Sequence, residues 1–234
     1  MPASHSATLG ASAAGRVFVV DDDAPVRRAL SRLLRSATHE VEAFASAEGF
    51  LAGAAPDPGP ACLVVDLNMP GLTGLELQDE LHRRGLDLPI VFISGRADVS
   101  SSVRAMKSGA LDFIEKPFSD DQFLGVVAHA LELDSRNRER REERRLLEAR
   151  YARLTPRERE VFGLVVTGLG NKQVGWQLGA TEKTIKVHRA RAMEKMEAGS
   201  LAELVRMADA LEIPRAGVSD ATASASEPGG RGHA

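Results

Sequence analysis

The chain has 234 residues, 43% hydrophobic and 27% charged, with a formal net charge of −3, which is the composition of an ordinary globular protein with room for two modest domains. Its apolar runs are far too short to cross a bilayer, and a single cysteine, Cys62, excludes an internal disulfide and fits a reducing compartment. The small net charge hides an asymmetry: residues 16–133 hold 11 basic and 18 acidic side chains, residues 134–212 hold 17 basic and 13 acidic. An acidic half followed by a basic half points to separate tasks, with nucleic acid a candidate partner for the second.

The chain opens on MPASHSATLGASAAG, which has neither the basic start nor the apolar centre of a secretory signal; residues 1–15 are expected to be disordered, as is a similar tail over 213–234. Between 16 and 133, strands are predicted at Val17–Val20, Val41–Phe44, Leu63–Val65, Ile90–Ile93 and Leu111–Ile114, with helices near 24–37, 46–53, 73–84, 98–108 and 119–133. Short apolar runs rich in β-branched residues suit strands buried on both faces. Five successive β/α units predict an α/β domain built on a doubly wound five-stranded parallel sheet, in which ligands bind beyond the carboxyl ends of the strands.

Those ends are where the chemistry collects. The first strand, RVFVV, runs into Asp21-Asp22-Asp23, and the third, LVV, into Asp66 and a loop opening Asn68-Met69-Pro70-Gly71. A single Asp after a strand is most simply a loop starter, and Asp23, before Ala24-Pro25, is expected to cap the first helix. Asp21 and Asp22 remain. Carboxylates converging on Asp66 repel one another unless a cation lies between them, and carboxylates with a loop carbonyl form a hard-oxygen site suited to Mg²⁺. The fourth strand ends in Ser94-Gly95 and the fifth in Glu115-Lys116-Pro117, which bring a hydroxyl and an ammonium to the same edge. This combination predicts phosphoryl transfer, with Asp66 as the nucleophile and the metal and Lys116 neutralising phosphoryl oxygens. An enzyme working on a small substrate through an aspartyl phosphate would need a further acid/base carboxylate and a substrate cap, and the sequence offers neither.

The segments VVDDDAPVR, VVDLNMPGLTG, VFISG and GALDFIEKPF together resemble the receiver domain of bacterial two-component response regulators over residues 16–133. The resemblance implies that a sensor histidine kinase phosphorylates Asp66, that Asp22 and Asp66, with Asp21 nearby, bind Mg²⁺ together with the Asn68 carbonyl, and that Ser94 and Lys116 bind the phosphoryl group. It further implies a cis Lys116–Pro117 bond and a switch role for Ser94 and Phe113.

Residues 134–150, DSRNRERREERRLLEAR, carry 12 charged side chains and no apolar one before Leu146, so a solvated helical linker is predicted. A coiled coil would need apolar a and d positions there. From 151 to 212 four short helices are predicted. The first is capped by Thr155 with Glu158 three residues on, the second opens at Asn171 as N-cap, the third runs from Thr181 to Met196, and the fourth follows a break at Gly199-Ser200. On a wheel of the third helix, Ile185, Ala192 and Met196 form a core stripe; Lys183, Val187, Ala190 and Glu194 lie opposite, flanked by Lys186 and Arg191. Charge alone would describe a solvated face, but small residues and cations behind a short helix and a tight turn suit a major groove.

LTPREREVFGLVVTGLGNKQVGWQLGATEKTIKVHRARAMEKM resembles the LuxR-type helix-turn-helix, and the whole arrangement is similar to response regulators of the NarL/FixJ class, most of all the FixJ branch. The resemblance implies that Lys186, Val187 and Ala190 face base edges of promoter DNA, while Lys183, Thr184, Arg189 and Arg191 touch mostly phosphates. It also implies a cytoplasmic bacterial transcription regulator that works with RNA polymerase and forms a homodimer when phosphorylated. At Gly175-Trp176 the chain departs from the family's usual small residue such as Ala, and that Gly is expected to weaken its helix by about 1 kcal/mol. His188 is expected to be structural. The competing readings are a phosphoryl-accepting interaction protein or an Mg²⁺-dependent aspartyl-phosphate enzyme, neither binding specific DNA.

Overall fold

The computed structural model describes residues 15–54, 59–95 and 99–213, with residues 99–102 by their backbone alone. The predicted tails, apart from residues 15 and 213, lie outside the described residues. The chain divides into two compact units, residues 1–140 and 141–234.

In the first unit, β1 (Arg16–Val20), β2 (Glu40–Phe44), β3 (Ala61–Asp66), β4 (Ile90–Ser94) and β5 (Asp112–Glu115) form one parallel sheet in the order β2-β1-β3-β4-β5. The helices are α1 (Ala24–Ser36), α2 (Ala47–Gly53), α3 (Gly74–Arg83), α4 (Val99–Lys107) and α5 (Asp120–Ala152), the last as far as residue 140. Alternate side chains of each inner strand enter opposite cores. Phe18, Val20, Leu63, Val65 and Phe92 pack with Phe50 of α2 and Leu77 and Leu81 of α3. Val17, Val19, Cys62, Val64, Val91 and Ile93 pack with Leu30 and Leu34 of α1 and Phe123 and Val127 of α5. Burial on both faces explains why these strands read as unbroken apolar runs. Truncating a ring such as Phe92, fully buried, would cost about 3–5 kcal/mol. Cys62 is one of the buried residues, and burial pushes its thiol far above the ordinary range. The strand order reverses between β1 and β3, so the topological switch point lies where those two strands end.

Local sequence sets the helix starts. Asp23 accepts the Val26 N–H at 3.4 Å and caps α1. Ser46 caps α2, and Thr73 forms a reciprocal capping box with Glu76 at the start of α3.

The second unit contains α6 (Pro156–Val165), α7 (Asn171–Leu178), α8 (Glu182–Met196) and α9 (Leu201–Ala210). Its core gathers Leu154, Val161, Phe162, Val165, Val174 and Leu204 around the predicted α8 stripe of Ile185, Ala192 and Met196. Thr155 caps α6 in a capping box with Glu158, Thr181 caps α8, and Ser200 caps α9. One expected cap is different. Gly170, not Asn171, is the N-cap of α7. Gln173 Oε1 accepts the Gly170 N–H at 2.9 Å, while Asn171 Oδ1 accepts from the Arg189 guanidinium of α8 at 3.2 Å. The Asn side chain is thus drawn into tertiary contact, and the local cap is supplied from N3.

The segment expected to be a solvated linker is anchored at both ends, each within its own unit. Asp134 is 1% exposed and accepts the Ala61 N–H of β3 at 2.8 Å, with the Arg138 guanidinium 2.5 Å away. Leu147 and Tyr151 pack into the second unit's core, where Arg144 pairs with Glu212 and Arg150 with Glu197.

Candidate functional site

The register of the first sheet decides which residues meet. Val20 pairs with Val65, Asp66 with Ile93, and Ser94 with Glu115. The residues at and just beyond these positions are Asp21, Asp66, Ser94 and Lys116, so the four predicted strand-end groups arrive at one edge. Lys116 Nζ donates to Asp66 Oδ1 at 2.8 Å and to Asp21 Oδ2 at 3.1 Å. The Lys116–Pro117 bond is cis. Backbone amides hold the remaining carboxylate oxygens: Asp23 N–H donates to Asp21 Oδ1, and Asn68 N–H to Asp66 Oδ2, each at 2.8 Å. Ser94 is fully buried, and its hydroxyl accepts from the Asn68 side-chain Nδ2 at 3.2 Å.

The electrostatics follow from burial. Asp21 is buried, and burial pushes its carboxyl above the usual range; Lys116 and the Asp23 amide oppose the shift, while repulsion from Asp66 adds to it. Burial alone would lower Lys116, but its bonds to Asp66 and Asp21 outweigh this and hold its ammonium above the usual value. Two carboxylates sharing one ammonium form a site that draws cations. Asp22, next in the chain, is exposed. Among the described residues, no group of three or more His, Cys, Asp or Glu side chains is gathered for a metal ion. The donor chemistry still fits Mg²⁺: Asp22, Asp66, nearby Asp21 and the Asn68 carbonyl offer hard oxygens. A bound Mg²⁺ would supply charge neutralisation for the phosphoryl oxygens.

Phe113, on β5, is half-buried against the core formed by Phe92 and its neighbours. The sequence reading missed Glu48. From the first turn of α2 its carboxylate accepts the Leu72 N–H at 3.0 Å and so ties down the loop that leaves Asp66. Gly71 of that loop adopts a left-handed φ of +77°, and a Cβ there would lie 2.9 Å from Glu48 Oε1. A Glu at a helix start has an ordinary local explanation, so nothing in the sequence marked its distant partner.

In the second unit, Lys183, Thr184, Lys186, Val187, Ala190 and Arg191 are exposed along α8, with Val187 45% exposed. Arg189 is the exception: it is half-buried and bonded to Asn171. His188 is also half-buried. Glu158, 2% exposed, accepts from Lys195 of α8 at 2.6 Å and from the Thr155 N–H at 2.9 Å, locking α6 to α8 behind the exposed face.

A phosphoacceptor-type edge on a doubly wound sheet, followed by a basic helix-turn-helix, defines a phosphorylation-controlled transcription regulator rather than a metabolic enzyme. Comparison with known proteins agrees. Residues 17–128 match the response regulator receiver domain, and residues 152–208 match the luxR family of bacterial regulatory proteins. The chain is 47% identical over 203 residues to nodulation protein W of Bradyrhizobium diazoefficiens, covering 87% of this chain and 89% of that protein. It is 43% identical to the transcriptional regulatory protein FixJ of Azorhizobium caulinodans, covering 82% of this chain and 90% of that one. Among solved structures, the response regulator StyR superposes with a TM-score of 0.74 at 44% identity, covering 84% of this chain and 99% of that chain. Full-length FixJ from B. japonicum superposes at 0.53 and 38% identity, covering 86% of this chain and 98% of that one. The chain belongs to the NarL/FixJ class of two-component response regulators, in which a receiver is joined to a LuxR-type helix-turn-helix.

Proposed function

We propose that Asp66 is the phosphoacceptor of this regulator and that a sensor histidine kinase supplies the phosphoryl group. The observation that carries the reading is the bridge from Lys116 to both Asp66 and Asp21, with Ser94 bonded to the neighbouring Asn68. The Asp66 carboxylate attacks phosphorus, and the bond to the kinase histidine breaks. Lys116 and Ser94 bind phosphoryl oxygens. Mg²⁺ would be held by Asp22 and Asp66, with Asp21 nearby, and the Asn68 carbonyl, and would neutralise charge on the phosphoryl oxygens. Ser94 and Phe113 then act as the switch pair. The receiver spans residues 16–133, the linker 134–150 and the DNA-binding domain 151–212.

The output is promoter binding in the bacterial cytoplasm. Lys186, Val187 and Ala190 read base edges; Lys183, Thr184 and Arg191 contact phosphates; recruitment of RNA polymerase follows. Arg189, also expected at phosphates, would first have to leave Asn171. Phosphorylation favours a homodimer that brings two α8 helices to paired half-sites. The test is labelling of the full chain by acetyl phosphate, followed by selection of bound genomic fragments. Labelling should vanish in Asp66→Asn and in EDTA. Asp22→Ala should weaken Mg²⁺ binding more than Asp23→Ala, because Asp23 caps α1. Full labelling of Asp66→Asn would overturn the assignment.

A further inference from the structure

Trp176 is the chain's single tryptophan and, at 86% exposure, the most exposed large apolar side chain among the described residues. The fold makes no use of the ring: α7 turns Val174 and Gly175 inward and leaves Lys172, Trp176 and Gln177 in solvent. An indole held in water is an unusual use of the residue and marks a contact made elsewhere. Lys172 and Trp176 stand four residues apart, so they share one face of the helix.

Position says what that face meets. The C-terminal end of α7 is pressed onto the turn into α8, so closely that a Cβ on Gly175 would lie 2.7 Å from the Ala180 carbonyl oxygen. Gly179 takes a left-handed conformation, and α8 begins at Glu182. Trp176 therefore lies beside the N-terminal end of α8. In helix-turn-helix proteins that end enters the major groove while the preceding helix crosses the backbone. Exposed Lys172 on α7 and exposed Lys183 and Lys186 on the first half of α8 outnumber the one exposed acid there, Glu182, so this end is net positive and complementary to DNA.

We propose that Trp176, with Lys172, seats α7 on the sugar–phosphate backbone flanking the groove. The indole face packs on deoxyribose, its Nε1–H donates to a phosphate oxygen, and Lys172 pairs with a neighbouring phosphate. The contact is independent of base sequence and rests on the DNA-binding reading of α8.

The single tryptophan makes the full-length protein its own reporter. The beryllofluoride-activated chain is titrated with a labelled mixed-sequence duplex of about 30 base pairs, roughly three turns, while duplex anisotropy and tryptophan emission are followed together. On saturation, indole emission should change and acrylamide quenching should fall towards that of a buried ring. Trp176→Ala should weaken binding to every duplex by about five- to tenfold with an unchanged salt slope, Trp176→Phe should recover part of the loss, and Lys172→Ala should lower the slope by about 1. A duplex that binds while the indole stays as open to acrylamide as in the free protein overturns the proposal. So does a Trp176→Ala chain that binds DNA normally yet fails to support transcription, which would assign the ring to RNA polymerase. If the activated wild-type chain binds no duplex, both this contact and the DNA-binding reading fall.

Discussion

Lys116 Nζ lies 2.8 Å from Asp66 Oδ1. The same ammonium is 3.1 Å from Asp21 Oδ2, so one side chain beyond β5 neutralises the ends of β3 and β1. In Lys116→Ala the two carboxylates would face each other uncompensated. Burial already holds Asp21 above its ordinary value, and Asp66 adds to the shift. A carboxyl raised in the folded state costs stability above that value, and the cost shrinks as pH falls through the folded value and vanishes only below the unfolded one, 3.8 for Asp21. Lys116→Ala should therefore lower the melting temperature at neutral pH and recover the loss progressively as pH falls towards 3.8, the ordinary Asp value. Thermal melts across that interval check this, and a deficit independent of pH would contradict it.

Gly175→Ala should destabilise the second unit, although helix propensity alone favours Ala by about 1 kcal/mol. The added methyl would lie 2.7 Å from the Ala180 carbonyl oxygen and 3.6 Å from Ile185 Cγ1. Overpacking of this kind costs roughly 1–3 kcal/mol, so the net effect should be a loss. Denaturant unfolding measures it, and a gain in stability would mean that the α7–α8 turn relaxes freely.

That glycine illustrates where sequence reading stops. Strands, helices and the meeting of Asp21, Asp66, Ser94 and Lys116 were legible because they follow from period, turn chemistry and parallel topology. Partnerships between distant residues were not. Asn171 reads as a cap, yet it is bound to Arg189, eighteen residues on. Glu48 reads as a helix-start acid, yet it fastens Leu72. Asp134 reads as one charge among twelve in the linker, yet it is buried against Ala61. Each residue satisfies a local rule, and its actual partner is fixed only by the tertiary packing.

The second unit should lose stability in acid through Glu158. Burial alone would raise its carboxyl, but the bonds from Lys195 and Thr155 prevail and hold it below its ordinary 4.5. A depressed carboxyl contributes stability above its unfolded value, and that contribution fades as pH falls through the folded value. Glu158→Gln should cost about 1–3 kcal/mol at neutral pH, as expected for loss of a charge-assisted bond. The gap between variant and wild type should narrow below about pH 4. A constant gap across the titration would show that capping geometry, not charge, is responsible.

Lys186 and Lys183 should fail in different ways. Base contacts specify sequence, whereas phosphate contacts position the protein. Lys186→Ala should change the preferred sequence, with about 1–3 kcal/mol lost at the affected base pair. Lys183→Ala should weaken all duplexes alike and lower the salt slope by about 1. Selection from a randomised duplex pool, together with salt titrations, separates the two. Identical uniform losses would mean that Lys186 does not face the bases.

How phosphorylation at β3 reaches α8 is the last question, and the first unit's surface suggests an answer. Val103 and Met106 on α4 are each 46% exposed, an apolar pair on the flank of β5. Phe113 lies half-buried on that strand. A phosphoryl group adds roughly −1.5 to −2 charge beside Ser94. Movement of Ser94 towards it would free space for Phe113 and reshape the α4–β5 face. We expect the beryllofluoride-activated full chain to sediment as a dimer at concentrations on the order of tens of micromolar and the unmodified chain as a monomer. Met106→Asp should keep Asp66 labelling intact, abolish the dimer and remove the gain in DNA affinity. The rival is release of a masked DNA-binding domain. If the activated protein stays monomeric and still gains DNA affinity, dimerisation is not the switch and unmasking takes its place.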